Sequence, residues 1–223
     1  MYVPSSVHKN SNSFFSRGAS VIHMGKRSAR DGALRAIFWA TFFLCLFLLA
    51  LPLMAAPALT ESKYYYDVSG LTEQAIREDM NAQRRRHVRG GYDAYVSWSL
   101  AWHFHYDDDL KGCKIVRAST SLKVDYQLPR WVDEAAANAP LRQRWNAYYD
   151  ALLEHEYGHR DFGIAAAEAV ASALLAMPHY RDCLVLRRNA NELAARVLWG
   201  YLVREKDYDR ETRHGMTQGA VFP

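Results

Sequence analysis

LRQRWNAYYDALLEHEYGHRDFGIAAAEAVASALLAM, residues 141–177, carries a helical apolar pattern along its whole length. Pro140 stands at a favourable first helical position, and Pro178 bounds the far end. Within this stretch His155, Glu156 and His159 form the pattern HExxH. Residues four apart share one helix face, so the two imidazoles can converge on one metal ion. Glu156, one step round, can then reach a water held by that ion. These residue types at this spacing point to zinc as cofactor.

A catalytic zinc ordinarily takes three protein ligands and keeps one open position. Asp161 and Glu168 follow His159 at about 200° and 180° round a continuous helix, so both point away. His179 lies roughly 30 Å along the axis, at the wrong end. Beyond Pro178, LVLRRNANELAARVLWGYLVRE (184–205) aligns Leu186, Ala190, Leu193, Ala194, Val197, Leu198, Tyr201 and Leu202 in one stripe. That stripe predicts a second helix, antiparallel to the first. Its return path brings residues near 200–206 level with HExxH. The following YDRETRHG (208–215) has no apolar face and reads as an irregular segment crossing over the metal. His214, its only histidine, is the expected third ligand, with Glu211 or Asp209 as carboxylate alternatives.

The amino-terminal half reads as strands. Residues 63–68 (KYYYDV) make a short β-type run, and LTEQAIREDMNAQ then reads as a helix starting near Thr72. The basic loop RRRHVRGGY follows, its arginines Arg84, Arg85, Arg86 and Arg89 expected as a solvated face. From Ala94 to Tyr106 apolar and polar residues alternate as in a half-buried strand. A turn around Asp107, Asp108 and Asp109 leads to CKIVRASTSLKVDYQL, which should pair back as an antiparallel hairpin. His103 and His105, on the less apolar face, read as ordinary surface histidines.

The remaining residues carry an address. Residues 36–53 (AIFWATFFLCLFLLALPL) hold no charge, follow a basic flank, and precede small residues ending at Ala58. This is the pattern of a secretory signal peptide cleaved after Ala58, or of an uncleaved anchor spanning the bilayer, with Met24 a candidate true start. Either way residues 59–223 form the exported domain, periplasmic or secreted. The net charge of +4 belongs to the address: residues 59–223 hold 22 bases against 23 acids, which removes the electrostatic case for nucleic acid as partner. Cys113 and Cys183 are the domain's two cysteines, and in an oxidising compartment they are expected to form a disulfide.

The tyrosine-rich first strand, LPRW (128–131), WNAYYDALLEHEYGHRDFG (145–163), Cys183 and the terminal YDRETRHGMTQGA (208–220) together resemble a family of bacterial proteins filed as domain of unknown function 922 and described as secreted zinc-dependent proteases. The resemblance covers nearly all of residues 62–220. It implies an α+β, zincin-like domain with a small antiparallel sheet packed on the long helix and its antiparallel partner. It also implies peptidase activity on a peptide or protein substrate, with His155, His159 and His214 as zinc ligands and Glu156 as general base. Tyr208, Arg213 and His103 are candidates to steady the oxyanion. Two other expectations use the same site: an exported zinc-binding module without turnover, and a cell-wall amidase driven by the same activated water.

Overall fold

The computed structural model describes residues 56–223. The basic flank, Met24 and the apolar run 36–53 lie outside the described residues, and Ala58 opens the first strand. Strand β1 (Ala58–Val68) is followed by helix α1 (Glu73–His87), then by strands β2 (Tyr95–Asp109) and β3 (Gly112–Trp131). Helices α2 (Ala139–Leu175) and α3 (Cys183–Thr212) complete the order. No helix among the described residues is long and apolar enough to cross a membrane.

The α+β class expected from the sequence forms, with one correction to the sheet. The strand order is β1-β3-β2, and β1 pairs with β3 in parallel while β2 and β3 make the antiparallel hairpin. The sheet is therefore mixed. Between β1 and β3 the chain runs through α1 and β2, a connection long enough to return a strand in the same direction. The three aspartates expected in the hairpin turn belong to β2, with Asp109 opposite Gly112 and only Leu110 and Lys111 in the loop. Likewise Arg84, Arg85 and Arg86 are the last turn of α1 rather than a loop, and Arg84 is half-buried and ion-paired to Asp93 at 2.7 Å.

Alternation along β2 and β3 sends Val96, Trp102, Phe104, Leu122, Val124 and Tyr126 to one face, which α2 and α3 cover. Asn138 caps α2 by accepting from the Leu141 N–H at 2.9 Å, and Pro140 sits in the first turn. Asp182 caps α3, whose Leu186, Ala190, Ala194 and Leu198 are buried, as the apolar stripe predicts. The two helices run antiparallel, so that His159 faces Glu205 and His155 faces Asp209.

Cys113 and Cys183 are joined, tying the start of β3 to the start of α3 across 70 residues. Next to the bridge, Cys113 and Tyr180 exchange backbone hydrogen bonds. Closing a loop of that length removes enough unfolded-state entropy to stabilise by about 2–4 kcal/mol. Cys183→Ser should therefore lower the melting temperature by roughly 5–15 °C in a thermal scan, whereas the same scan under reducing conditions should leave the variant's midpoint where it was.

Candidate metal centre

Helix α2 buries His155, Glu156 and His159 together, at 3%, 4% and 7% exposure. The last two turns of α3 pack across them. Here the structure departs from the irregular segment expected at 208–215: α3 continues to Thr212. The face that carries Leu198, Tyr201 and Leu202 goes on as Glu205, Tyr208, Asp209 and Thr212, and each of these polar residues meets the HExxH turn. A polar face packed on a polar site satisfies the helix as an apolar stripe would.

Three ligand atoms converge. His155 Nε2 and His159 Nε2 are 3.3 Å apart, and Asp209 Oδ1 lies 3.2 Å from the first and 3.1 Å from the second. A tetrahedral zinc with bonds of about 2.0–2.1 Å separates its ligand atoms by roughly 3.3–3.4 Å, so the triangle already has the edge length such an ion requires. His155, His159 and Asp209 thus form a group able to hold a metal ion. The other such grouping among the described residues, Asp108 with Cys113 and Cys183, has its two sulfurs committed to the disulfide.

The outer nitrogens determine which atoms face inward. His155 Nδ1 lies 2.9 Å from Gln218 Oε1, and His159 Nδ1 lies 3.1 Å from Glu205 Oε1. In the neutral imidazole an Nδ1–H donating to that oxygen leaves the lone pair on Nε2, the arrangement a metal-ligating imidazole needs, and with a second proton Nε2–H donates to Asp209 instead. Glu205 is itself held by the Trp98 indole N–H at 3.0 Å. Three lone pairs aimed at one another repel unless positive charge lies among them. The electrostatics register that demand. Burial would lower the His159 pKa, but hydrogen bonds to Asp209 and Glu205 outweigh it and raise it to about 9. Burial alone would raise Asp209, yet the hydrogen bonds from His155 and His159 hold it well below the usual carboxylate range. Glu156 is pushed up to about 7 by burial, with His159 and His155 opposing, and its carboxylate accepts the backbone N–H of Val96.

His214, expected as third ligand, stands beside the triangle rather than in it. Its Nδ1 lies 3.2 Å from Asp209 Oδ1, its ring stacks on Tyr92 at 4.3 Å, and it remains 45% exposed. Of the two carboxylate alternatives, Asp209 is the residue whose oxygen meets both imidazoles, and Glu211 is exposed. The oxyanion candidates separate as well. Arg213 lines the cleft over the site, whereas Tyr208 turns its hydroxyl to Gln218 and the His155 carbonyl. His103 lies on the opposite face of β2 from the buried Trp102 and Phe104, away from the cleft. Glu205 and Gln218 were not recognised from sequence. The antiparallel return marks 205 as level with HExxH, but nothing local announces Gln218.

Two glycines make the close packing possible. A Cβ on Gly158 would fall 2.6 Å from Cζ of Tyr208 and closer still to its hydroxyl, and that ring stacks on His155 at 5.0 Å. Gly215, at φ +81°, would bring a Cβ within 3.0 Å of the His155 ring. Gly158→Ala, ordinarily favourable in a helix by about 1 kcal/mol, should here displace Tyr208 and weaken zinc binding about 10- to 100-fold in a competition titration with a chelator. Unchanged affinity would mean the Tyr208 stack does not orient His155.

Above the triangle opens a cleft of about 440 Å³, walled on one side by residues 92–96 and on the other by the end of α3. A metal held by three protein ligands beneath such a cleft keeps a position accessible from outside. Searches of curated proteins and of solved structures each find no match. A scan of protein families matches residues 63–215, from β1 through Gly215, so the chain belongs to the family described as bacterial protein of unknown function, DUF922.

Proposed function

We propose that this protein is an exported zinc-dependent peptidase whose metal is held by His155, His159 and Asp209. The observation that carries the reading is the triangle of two Nε2 atoms and one carboxylate oxygen, spaced as zinc ligands and lying beneath an open cleft beside a buried glutamate. A long helix bearing HExxH against a small sheet makes the reading zincin-like in fold too. The disulfide supports export, since such bonds persist in oxidising compartments.

Bound in this site, zinc would lower the pKa of a water towards neutrality and polarise a substrate carbonyl. The chain supplies the rest. Asp209, His155 and His159 contribute one negative charge and two neutral donors. Gln218 and Glu205 hold the imidazole protons at Nδ1 so that both Nε2 atoms stay available. The Glu156 carboxylate, buried beside the two imidazoles, takes the proton of the attacking water and returns it to the leaving amine. His214, on the cleft beside Asp209, is the group positioned to donate to the developing oxyanion.

A module that binds metal without turnover is the second reading. It is favoured by one observation: Glu156 is almost fully buried and already engaged by the Val96 N–H. Incubating the zinc-loaded full chain with a broad peptide library, with and without a chelator, separates the two. Chelator-sensitive cleavage supports the peptidase. Stoichiometric zinc with no cleavage supports the silent module, and cleavage confined to cell-wall peptides or amides supports an amidase.

A further inference from the structure

We propose that the cleft selects substrates by a carboxylate, bound through Arg213 and Lys206 on either side of the metal ligand Asp209. The proposal rests on the peptidase reading of the site and names the substrate class.

Lys206 and Asp209 are three residues apart on α3 and so share a face, Arg213 is the C-cap of that helix, and all three line the cleft. The two cations stand about 4.5 and 6 Å along the axis from Asp209, one to each side. Both line the cleft, and neither side chain makes a hydrogen bond or ion pair among the described residues. The acidic groups of the cleft, by contrast, are engaged. Asp93 on the far wall receives Arg77 at 2.9 Å, Arg84 at 2.7 Å and the Tyr148 hydroxyl at 2.9 Å. Glu205 is held by Trp98 and His159, and Glu156 and Asp209 belong to the metal site. A cationic substrate therefore finds no free carboxylate in the cleft, while an anionic one finds two unengaged cations.

The backbone points the same way. Arg213 and His214 have φ of 51° and 53°, the left-handed region in which glycine or asparagine is the ordinary occupant at a helix end. Neither glycine nor asparagine stands at these positions. The left-handed turn ends α3 at Arg213 and leaves that residue on the rim of the cleft. The guanidinium matches a carboxylate with two parallel hydrogen bonds.

The carboxylate has two sources, an internal acidic side chain or the free end of a peptide. The test uses the full chain carrying Glu156→Gln and loaded with zinc, titrated calorimetrically with alanine-based hexapeptides. One arm compares blocked peptides with Glu or Gln at each position in turn; the other compares the free-acid and amidated forms. The expected result is about tenfold tighter binding of the carboxylate form in one arm. That preference should be lost on adding Arg213→Gln or Lys206→Gln and largely kept with Arg213→Lys. No preference in either arm, or one that survives both Gln substitutions together, would overturn the proposal. Binding is read without cleavage. Carboxylate binding by a wild-type protein that hydrolyses nothing would count against the peptidase reading alone, and hydrolysis without carboxylate preference against this proposal alone.

Discussion

Glu156→Gln is expected to keep a full complement of zinc and to lose hydrolysis by about a thousandfold or more. The substitution preserves the volume of the side chain, and the amide oxygen can still accept the Val96 N–H that holds the carboxylate. What it removes is the atom that takes a proton. General acid–base catalysis by one positioned group is worth roughly 10²–10⁴ in rate, and in the proposed reaction the same carboxylate would serve twice, once towards water and once towards the amine. The check is cleavage rate beside metal content on the same preparation. Full activity in a zinc-loaded variant would remove Glu156 from the mechanism, and loss of zinc would show that it serves the fold of the site.

His159→Ala should have the largest effect on the metal. His159 Nε2 contacts both other ligand atoms, and its Nδ1 anchors Glu205, which in turn holds Trp98. Loss of an outer partner of a metal-bound histidine typically costs 10- to 100-fold in affinity, so loss of the histidine itself should exceed about 100-fold. Stability is linked to that loss. Zinc that binds only the folded chain stabilises it in proportion to the logarithm of its saturation, about 4 kcal/mol at a thousandfold excess over the dissociation constant. Wild type should therefore gain several degrees in melting temperature when zinc is added, and His159→Ala should gain none. An equal shift in both proteins would locate zinc elsewhere.

How far the site could be read from sequence depended on the kind of contact each residue makes. The α2 pair of histidines is legible because HExxH is local: two histidines four apart share a face whatever the tertiary context. The disulfide follows from there being two cysteines in residues 59–223, and the hairpin from strict alternation along 94–106. The parallel pairing of β1 with β3 left no such trace, since alternation does not record strand direction. The end of α3 was missed for a sharper reason. A search for apolar periodicity stops at Leu202, yet the helix continues for ten residues because its inward face changes from Leu198, Tyr201 and Leu202 to the partly buried Glu205, Tyr208, Asp209 and Thr212. The spacing persists while the chemistry switches, and that switch marks where packing gives way to the metal site. Reading 208–215 as irregular made His214 the natural ligand. On a helix, the antiparallel register instead turns Asp209 towards His155 and His159 and leaves His214 to the left-handed turn beyond, against Tyr92.

In the proposed site a zinc ion is held by His155, His159 and Asp209. Zinc per chain after dialysis against a weak chelator, measured on wild type, Asp209→Ala and His214→Ala side by side, tests it most directly. The account predicts one zinc in wild type, one in His214→Ala and essentially none in Asp209→Ala. Zinc retained by Asp209→Ala and lost from His214→Ala would contradict it and give the third position to the histidine.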